Sequence, residues 1–106
     1  MDHTYDVQLT NEAVADLEQA VSWIKEENAD AARVFFTSIK QKIKSDLSLT
    51  PQMGVKLQVI EGHALMALTC GQYRAFYVVD DDRHTVTIVR LLHTSRDIQS
   101  ILKLAA

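Results

Sequence analysis

The chain has 106 residues, 47% hydrophobic and 24% charged, with one proline and a formal net charge of −3. That is enough apolar material for one core and too little for two, which excludes a disordered linker and a two-domain architecture. A single cysteine, Cys70, excludes an internal disulfide and argues against a zinc site, and no run of residues approaches membrane-spanning length.

The charge is uneven. Residues 1–62 hold six Lys/Arg against ten Asp/Glu, a balance of −4, and residues 63–106 hold five against four, a balance of +1. Three of the later acids, Asp80, Asp81 and Asp82, are consecutive, so the rest of that half is mildly basic. This permits a local anion site and argues against broad, charge-driven nucleic-acid binding. Met1 to Asp6 carries acids and no apolar run, unlike a signal peptide, so a cytoplasmic location is expected.

Tyr5-Asp-Val-Gln-Leu9 alternates apolar with polar residues and predicts a short first strand. Thr10 or Asn11 can cap the helix that follows, where Glu12 suits the positive end of the dipole. Ala13, Leu17, Ala20, Val21 and Ile24 form its apolar stripe, and the helix is expected to run to about Glu27. Trp23 borders that stripe and is expected in the core in preference to a rim or dimer contact. Asn28-Ala-Asp30 is a break with capping residues. Ala32, Phe35, Phe36, Ile39, Ile43 and Leu47 then make a second helical stripe, ended by Pro51 and Gly54. Helices joined so closely fold back as an antiparallel pair. Lys40, Lys42 and Lys44 read as a solvated helix face that can also steer an acidic partner.

Val55 to Gly62 reads as a connection with an extended piece at Lys56–Ile60. Ala64–Cys70 predicts a second strand, with Gly71-Gln72 as a tight joint. Tyr73–Asp80 and His84–His93 are rich in Val, Ile, Thr, Tyr and Phe and flank a polar cluster, the pattern of an antiparallel hairpin. A three-residue loop would place Phe76, Val78, Val86 and Ile88 on one face, meeting Phe35 and Ile39 in a common interior. Arg74 and Arg90 would then lie side by side as an anion-facing rim, unless each reaches solvent or pairs with a helix acid. Tyr73, Tyr77, Val79, Val89 and Leu91 would form the opposite face, as a protein-binding groove or as part of a shared core. Thr94 or Ser95 can cap a last short helix with Ile98, Ile101 and Leu102 as its apolar positions. The expectation is a single α+β domain over 1–106: a two-helix antiparallel hairpin packed on one face of a small, mainly antiparallel twisted sheet, in the order β-α-α-β-β-β-α.

Ala31-Ala-Arg-Val-Phe35, Ile39-x3-Ile43-x3-Leu47, Pro51-Gln-Met-Gly54, Tyr73-Arg-x-Phe-Tyr77 and Val89-Arg-Leu-Leu-His93-Thr-Ser-Arg-Asp97 occur in an order that resembles the RelE/ParE toxins of bacterial type II toxin–antitoxin (plasmid stabilisation) modules, over nearly the whole chain. The resemblance implies a cognate antitoxin as partner and a homodimer as a further assembly. It also implies one of two activities: inhibition of DNA gyrase by binding, or ribosome-dependent cleavage of mRNA.

Cleavage needs a base, an acid and cations on the phosphate. The candidate parts are His93, Arg96, Arg74 and Arg90, with Glu61 as a further carboxylate, and His93 suits the role because imidazole titrates near neutral pH. Met66 stands about where many relatives carry a basic residue, the tail Asp97–Ala106 has no tyrosine, and the chain is acidic. His93-Thr-Ser-Arg-Asp97 is more similar to the ParE-like corner. The reading therefore favours a ParE-like gyrase inhibitor over an enzyme, with Arg74, Arg90, His93, Arg96, Tyr73 and Tyr77 as candidate target or antitoxin contacts. The alternatives are a RelE-like mRNA endoribonuclease acting on the ribosome, and an attenuated relative that only binds antitoxin. His93 can equally cap the last helix or bond to the sheet edge, and Arg96 can pair with nearby acids. His3, His63 and His84 lack ligand spacing, so neither metal nor cofactor is expected, and Cys70 reads as a small buried hydrophobe.

Overall fold

The computed structural model describes residues 4–95. Strand β1 (Asp6–Leu9) leads into α1 (Asn11–Glu27) and α2 (Ala29–Gln41). A π-helical turn over Lys42–Asp46, a last helical turn over Leu47–Leu49 and a 3-10 turn over Pro51–Met53 follow. Strands β2 (Val55–Ile60), β3 (His63–Cys70), β4 (Tyr73–Asp80) and β5 (Thr85–His93) complete the fold. They form one five-stranded sheet in the order β1-β5-β4-β3-β2. β1 runs parallel to β5 and the other pairs are antiparallel. The expected α+β architecture is therefore observed, with β2 added where the sequence suggested a connection with an extended piece.

Capping residues set the helix boundaries. Thr10 Oγ1 accepts from Ala13 N at 3.1 Å and opens α1. Asn28 closes α1 through its own N–H to Ile24 O at 2.9 Å, and its side chain accepts from Asp30 N and Ala31 N, so one residue ends one helix and starts the next. Ala13 and Ala20 of α1, with Ala32 and Ile39 of α2, are buried, as are Ile43 and Leu47 beyond α2. Trp23 is 66% exposed and is not a core residue. It lies roughly a quarter-turn off the Ala13–Ala20 stripe, so the helix turns it to the flank.

The hairpin has a four-residue loop, since Asp80 pairs with Thr85. One residue more than expected reverses the parity between the strands, and a bulge then restores it. Tyr77 faces Ile88 and Val79 faces Val86, but Phe76 faces Arg90, which leaves Val89 as the extra residue. The helix-side core thus holds Met66, Leu68, Ala75, Tyr77, Val79, Val86, Ile88 and Leu91 with Ile39, Ile43 and Leu47, and Phe35 packs against it. Phe76 is not in that interior. It lies in a separate cluster with Ala67 and Leu92, against which Leu57 and Val89 pack, on the outer face. The expected face of Phe76, Val78, Val86 and Ile88 does not exist, and Tyr73, Tyr77, Val79 and Leu91 lie under the helices instead of opposite them.

Tyr77 ties the helical arm to the sheet. Its buried hydroxyl donates to Pro51 O at 2.8 Å and accepts from Gly54 N at 3.1 Å. Gly54 has no alternative here, because a Cβ would stand 2.5 Å from that hydroxyl and 2.6 Å from Ala67 O. The terminal helix expected around Ile98, Ile101 and Leu102 lies outside the described residues.

Candidate functional site

β1 stops opposite Ile88, and among the described residues α1, with no further strand, lies alongside the second half of β5. Thr10 joins the two, donating through Oγ1 to Val89 O at 3.0 Å while capping the helix. Further along α1, Asp16 makes a second and stronger joint. The bulge aims Arg90 at α1, where Nε donates to Asp16 Oδ2 at 2.7 Å and Nη2 to Oδ1 at 3.2 Å, and Leu91 N donates to Oδ2 at 3.0 Å. The Asp16 hydrogen bond raises the Arg90 pKa above its ordinary value, against the opposing effect of burial. A bidentate guanidinium–carboxylate pair of this kind fixes both side chains.

Beside this joint the helix and the sheet end line a cleft of about 470 Å³. α1 supplies Asp16, Gln19, Ala20 and Trp23; the sheet end supplies Tyr73, Leu92, His93 and Ser95. Tyr73 packs between Phe35, 5.0 Å away centre to centre, and His93, 5.2 Å away and nearly perpendicular. Partial burial raises the Tyr73 pKa, so its hydroxyl stays neutral. His93 Nδ1 accepts from Ser95 N at 3.1 Å and lies 2.9 Å from Ser95 Oγ, and Nε2 faces Gln72 Oε1 at 3.4 Å.

Of the anticipated site residues Tyr73 and His93 meet in the cleft, and the other described ones do not join them there. Arg74 and Arg90 are not side by side: Arg74 pairs across the ladder with Leu92 and Arg90 with Phe76, and Arg90 is committed to Asp16. The alternative of pairing with a helix acid holds for Arg90. Among the described residues no carboxylate forms an ion pair with Arg74. Tyr77 is 0% exposed and its hydroxyl is occupied within the fold, so it has no surface to offer a partner. Glu61 sits in the β2–β3 turn, at the opposite end of the eight-residue strand β3 from Cys70, the level of Tyr73 and His93. That separation is on the order of 25 Å. Met66 is buried beneath the helices. Arg96 lies outside the described residues, as does His3. Among the described residues no three His, Cys, Asp or Glu side chains are grouped to hold a metal ion.

Sequence reasoning does not pick out Asp16, Gln19 and Trp23 as site residues, although they stand three and four apart on α1. That spacing puts them on one helical flank, and the flank was the available signal.

The family model described as the ParE toxin of the type II toxin–antitoxin system parDE matches residues 7–98. The chain belongs to the ParE toxin family. A chain of the RelBE2 toxin–antitoxin complex from Mycobacterium tuberculosis is 27% identical to this family member, with a TM-score of 0.63 over 85% of this chain and 91% of that one. A chain of the chromosomal ParDE system of P. aeruginosa gives a TM-score of 0.65 at 17% identity, over 86% of this chain and 97% of that one. The isolated E. coli RelE toxin gives 0.57 at 17% identity over 96% and 99%. The two at 17% show the shared fold. Curated proteins yield no match to this sequence. As a ParE-family chain it is the toxin component of a type II module, and no helix among its described residues is long and apolar enough to cross a membrane.

Proposed function

We propose that this toxin acts in the cytoplasm by binding and inhibiting DNA gyrase, that a cognate antitoxin neutralises it, and that it performs no chemistry of its own. The observation that supports this reading is that, among the described residues, several of the parts that RNA cleavage would need are not assembled at one point. Arg90 is held by Asp16, Glu61 stands at the far end of the sheet from His93, and both His93 nitrogens face neighbours within the fold. General acid–base cleavage requires such groups within hydrogen-bond reach of one phosphate. Binding requires only a shaped surface, and the aromatic cleft beside α1 supplies one.

The relatives named as RelE and RelBE2 keep mRNA cleavage as the rival reading. Purified protein is added to a gyrase supercoiling assay, and in parallel to a translated message mapped by primer extension. Loss of supercoiling with an uncut message is the expected result; cuts that follow the codon register with gyrase unaffected would overturn it. Full growth of cells that accumulate the soluble toxin without antitoxin would point to an attenuated member.

A further inference from the structure

The two edges of the sheet are finished differently. At one, β1 is four residues long and α1 lies beside β5 where it stops. At the other, β2 pairs with β3, and among the described residues no strand lies beyond it. A free edge presents unpaired backbone donors and acceptors, which proteins blunt with charge, shortness or cover. β2 is six residues long and exposes apolar side chains on both faces, Val55 at 67% and Val59 at 55%. Its pairing with β3 fixes those faces. Val55, Gln58 and Ile60 stand opposite Ala67, Leu65 and His63 on the outer face, and Lys56 and Val59 stand opposite Met66 and Ala64 on the helix side. Leu57, the bulge residue, packs in the outer cluster as well. From either end the strand therefore runs outer, helix-side, outer, outer, helix-side, outer. Six strictly alternating residues cannot do this, and the bulge is what permits it.

We infer that β2 is the edge through which two copies of this chain join, antiparallel, with Val55 opposite Ile60 and Lys56 opposite Val59 of the second copy. The two-fold axis passes between Leu57 and Gln58, and the two sheets continue as one with both helix pairs on the same side. No other register matches the faces over all six residues. A shift of one or two sets outer residues against helix-side ones, and a shift of three leaves only three residues paired. The charges fit the same register. Lys56 and Glu61 are both exposed, and among the described residues no carboxylate forms an ion pair with Lys56. Glu61 lies two residues past Val59, so it becomes the diagonal neighbour of Lys56 in the second copy, about 7–8 Å away and within reach of long side chains. Symmetry makes that pair twice. Face pattern and charge thus complement this strand itself, which selects a second copy over a foreign strand. β2 is three strands from β5, about 14 Å, so the cleft beside α1 stays open in the dimer and the inference stands apart from the gyrase reading.

Sedimentation velocity of the full chain, from low micromolar to the highest soluble concentration, is expected to show a reversible monomer–dimer equilibrium. Lys56→Glu and Glu61→Lys each set like charges against one another twice, and each is expected to weaken the dimer roughly tenfold or more. Mixed in equal amounts, the two single variants are expected to form heterodimers as tight as the parent dimer, because opposite charges then face each other again at both contacts. Lys44→Glu, an exposed change on the helical arm, leaves the dimer constant unchanged. A parent that stays monomeric throughout, a dimer indifferent to both reversals, or a mixture that fails to recover overturns the inference. So does amide exchange across Val55–Ile60 that slows on adding antitoxin but not on raising the toxin concentration, since the occupant of the edge would then be the antitoxin. Both reversed positions are exposed, and circular dichroism checks that the variants keep the fold. Should a reversal unfold the chain, the exchange measurement on the parent decides alone. Neither gyrase nor growth enters these measurements, so failure of the toxin reading is scored separately by the supercoiling assay.

Discussion

Asp16 and Tyr77 each satisfy several neighbours at once, which makes them the most sensitive single positions outside the apolar core. Asp16→Ala leaves the Arg90 guanidinium and Leu91 N without their shared acceptor. Hydrogen bonds to charged groups are each worth about 1.5–3 kcal/mol, so a loss of roughly 2–3 kcal/mol in urea unfolding is expected. A double-mutant cycle with Arg90→Ala should return much of that as coupling, since the second change removes the stranded charge. Additive losses would mean that the pair contributes little. Tyr77→Phe strands Pro51 O and Gly54 N instead, at an expected cost of about 1–3 kcal/mol. It also alters the alkaline limb. Burial, the larger cause, raises the Tyr77 pKa above 10.0, against a smaller lowering by its hydrogen bond from Gly54. The unfolded phenol ionises first, near its ordinary value, so the stabilisation from this group is complete below about pH 10 and is lost as pH rises through the folded pKa. Urea midpoints measured across that window should fall more steeply in the parent than in Tyr77→Phe. Parallel curves would place the pH dependence elsewhere.

The elements themselves were largely legible, because capping residues and apolar spacing are local signals. Thr10 and Asn28 cap where the pattern placed caps, and Ala32, Phe35 and Ile39 of the expected α2 stripe face the core, but Phe36 is 44% exposed and does not belong to it. Asn28→Ala tests how far these boundaries depend on the cap: Asp30 N and Ala31 N at the head of α2 then have no side-chain acceptor, and a destabilisation of about 1 kcal/mol is expected from chemical unfolding. A change within a few tenths would assign the boundary to packing alone. What escaped the sequence was register. Strand alternation shows that β4 and β5 have two faces, but not which faces share a side. That depends on loop length and on one extra residue, Val89, neither of which leaves a compositional mark. The error therefore moved Phe76, Tyr77 and both arginines together. It also hid the site, since the longer loop and the bulge together move Arg90 from opposite Arg74 to opposite Phe76, where it pairs with Asp16.

At the scale of the molecule, α1 fills the place beside β5 that the short β1 leaves open, and the helix pair closes one face of the sheet. The helix pair on one face was readable from the order of elements, whereas the strand order, the parallel pairing of β1 with β5 and the cleft were not, because they depend on contacts between elements distant in sequence. The helix-side core draws on both ends of the chain, from Ala13 to Leu91, so few parts of it can open alone. Cys70 provides the measurement. Its thiol is 4% exposed, and burial, the larger cause, raises its pKa despite the opposing charge of Lys42, whose ammonium donates to the neighbouring Thr69 carbonyl. Reaction with a thiol reagent requires the thiolate and access to it, both denied in the folded state. Labelling of the native protein should therefore be slow and should accelerate with urea along the same slope as global unfolding, because each reactive event exposes the whole core. A fast rate insensitive to urea would instead reveal a local opening of the β3–β4 turn, and the core would then be two cooperative units instead of one.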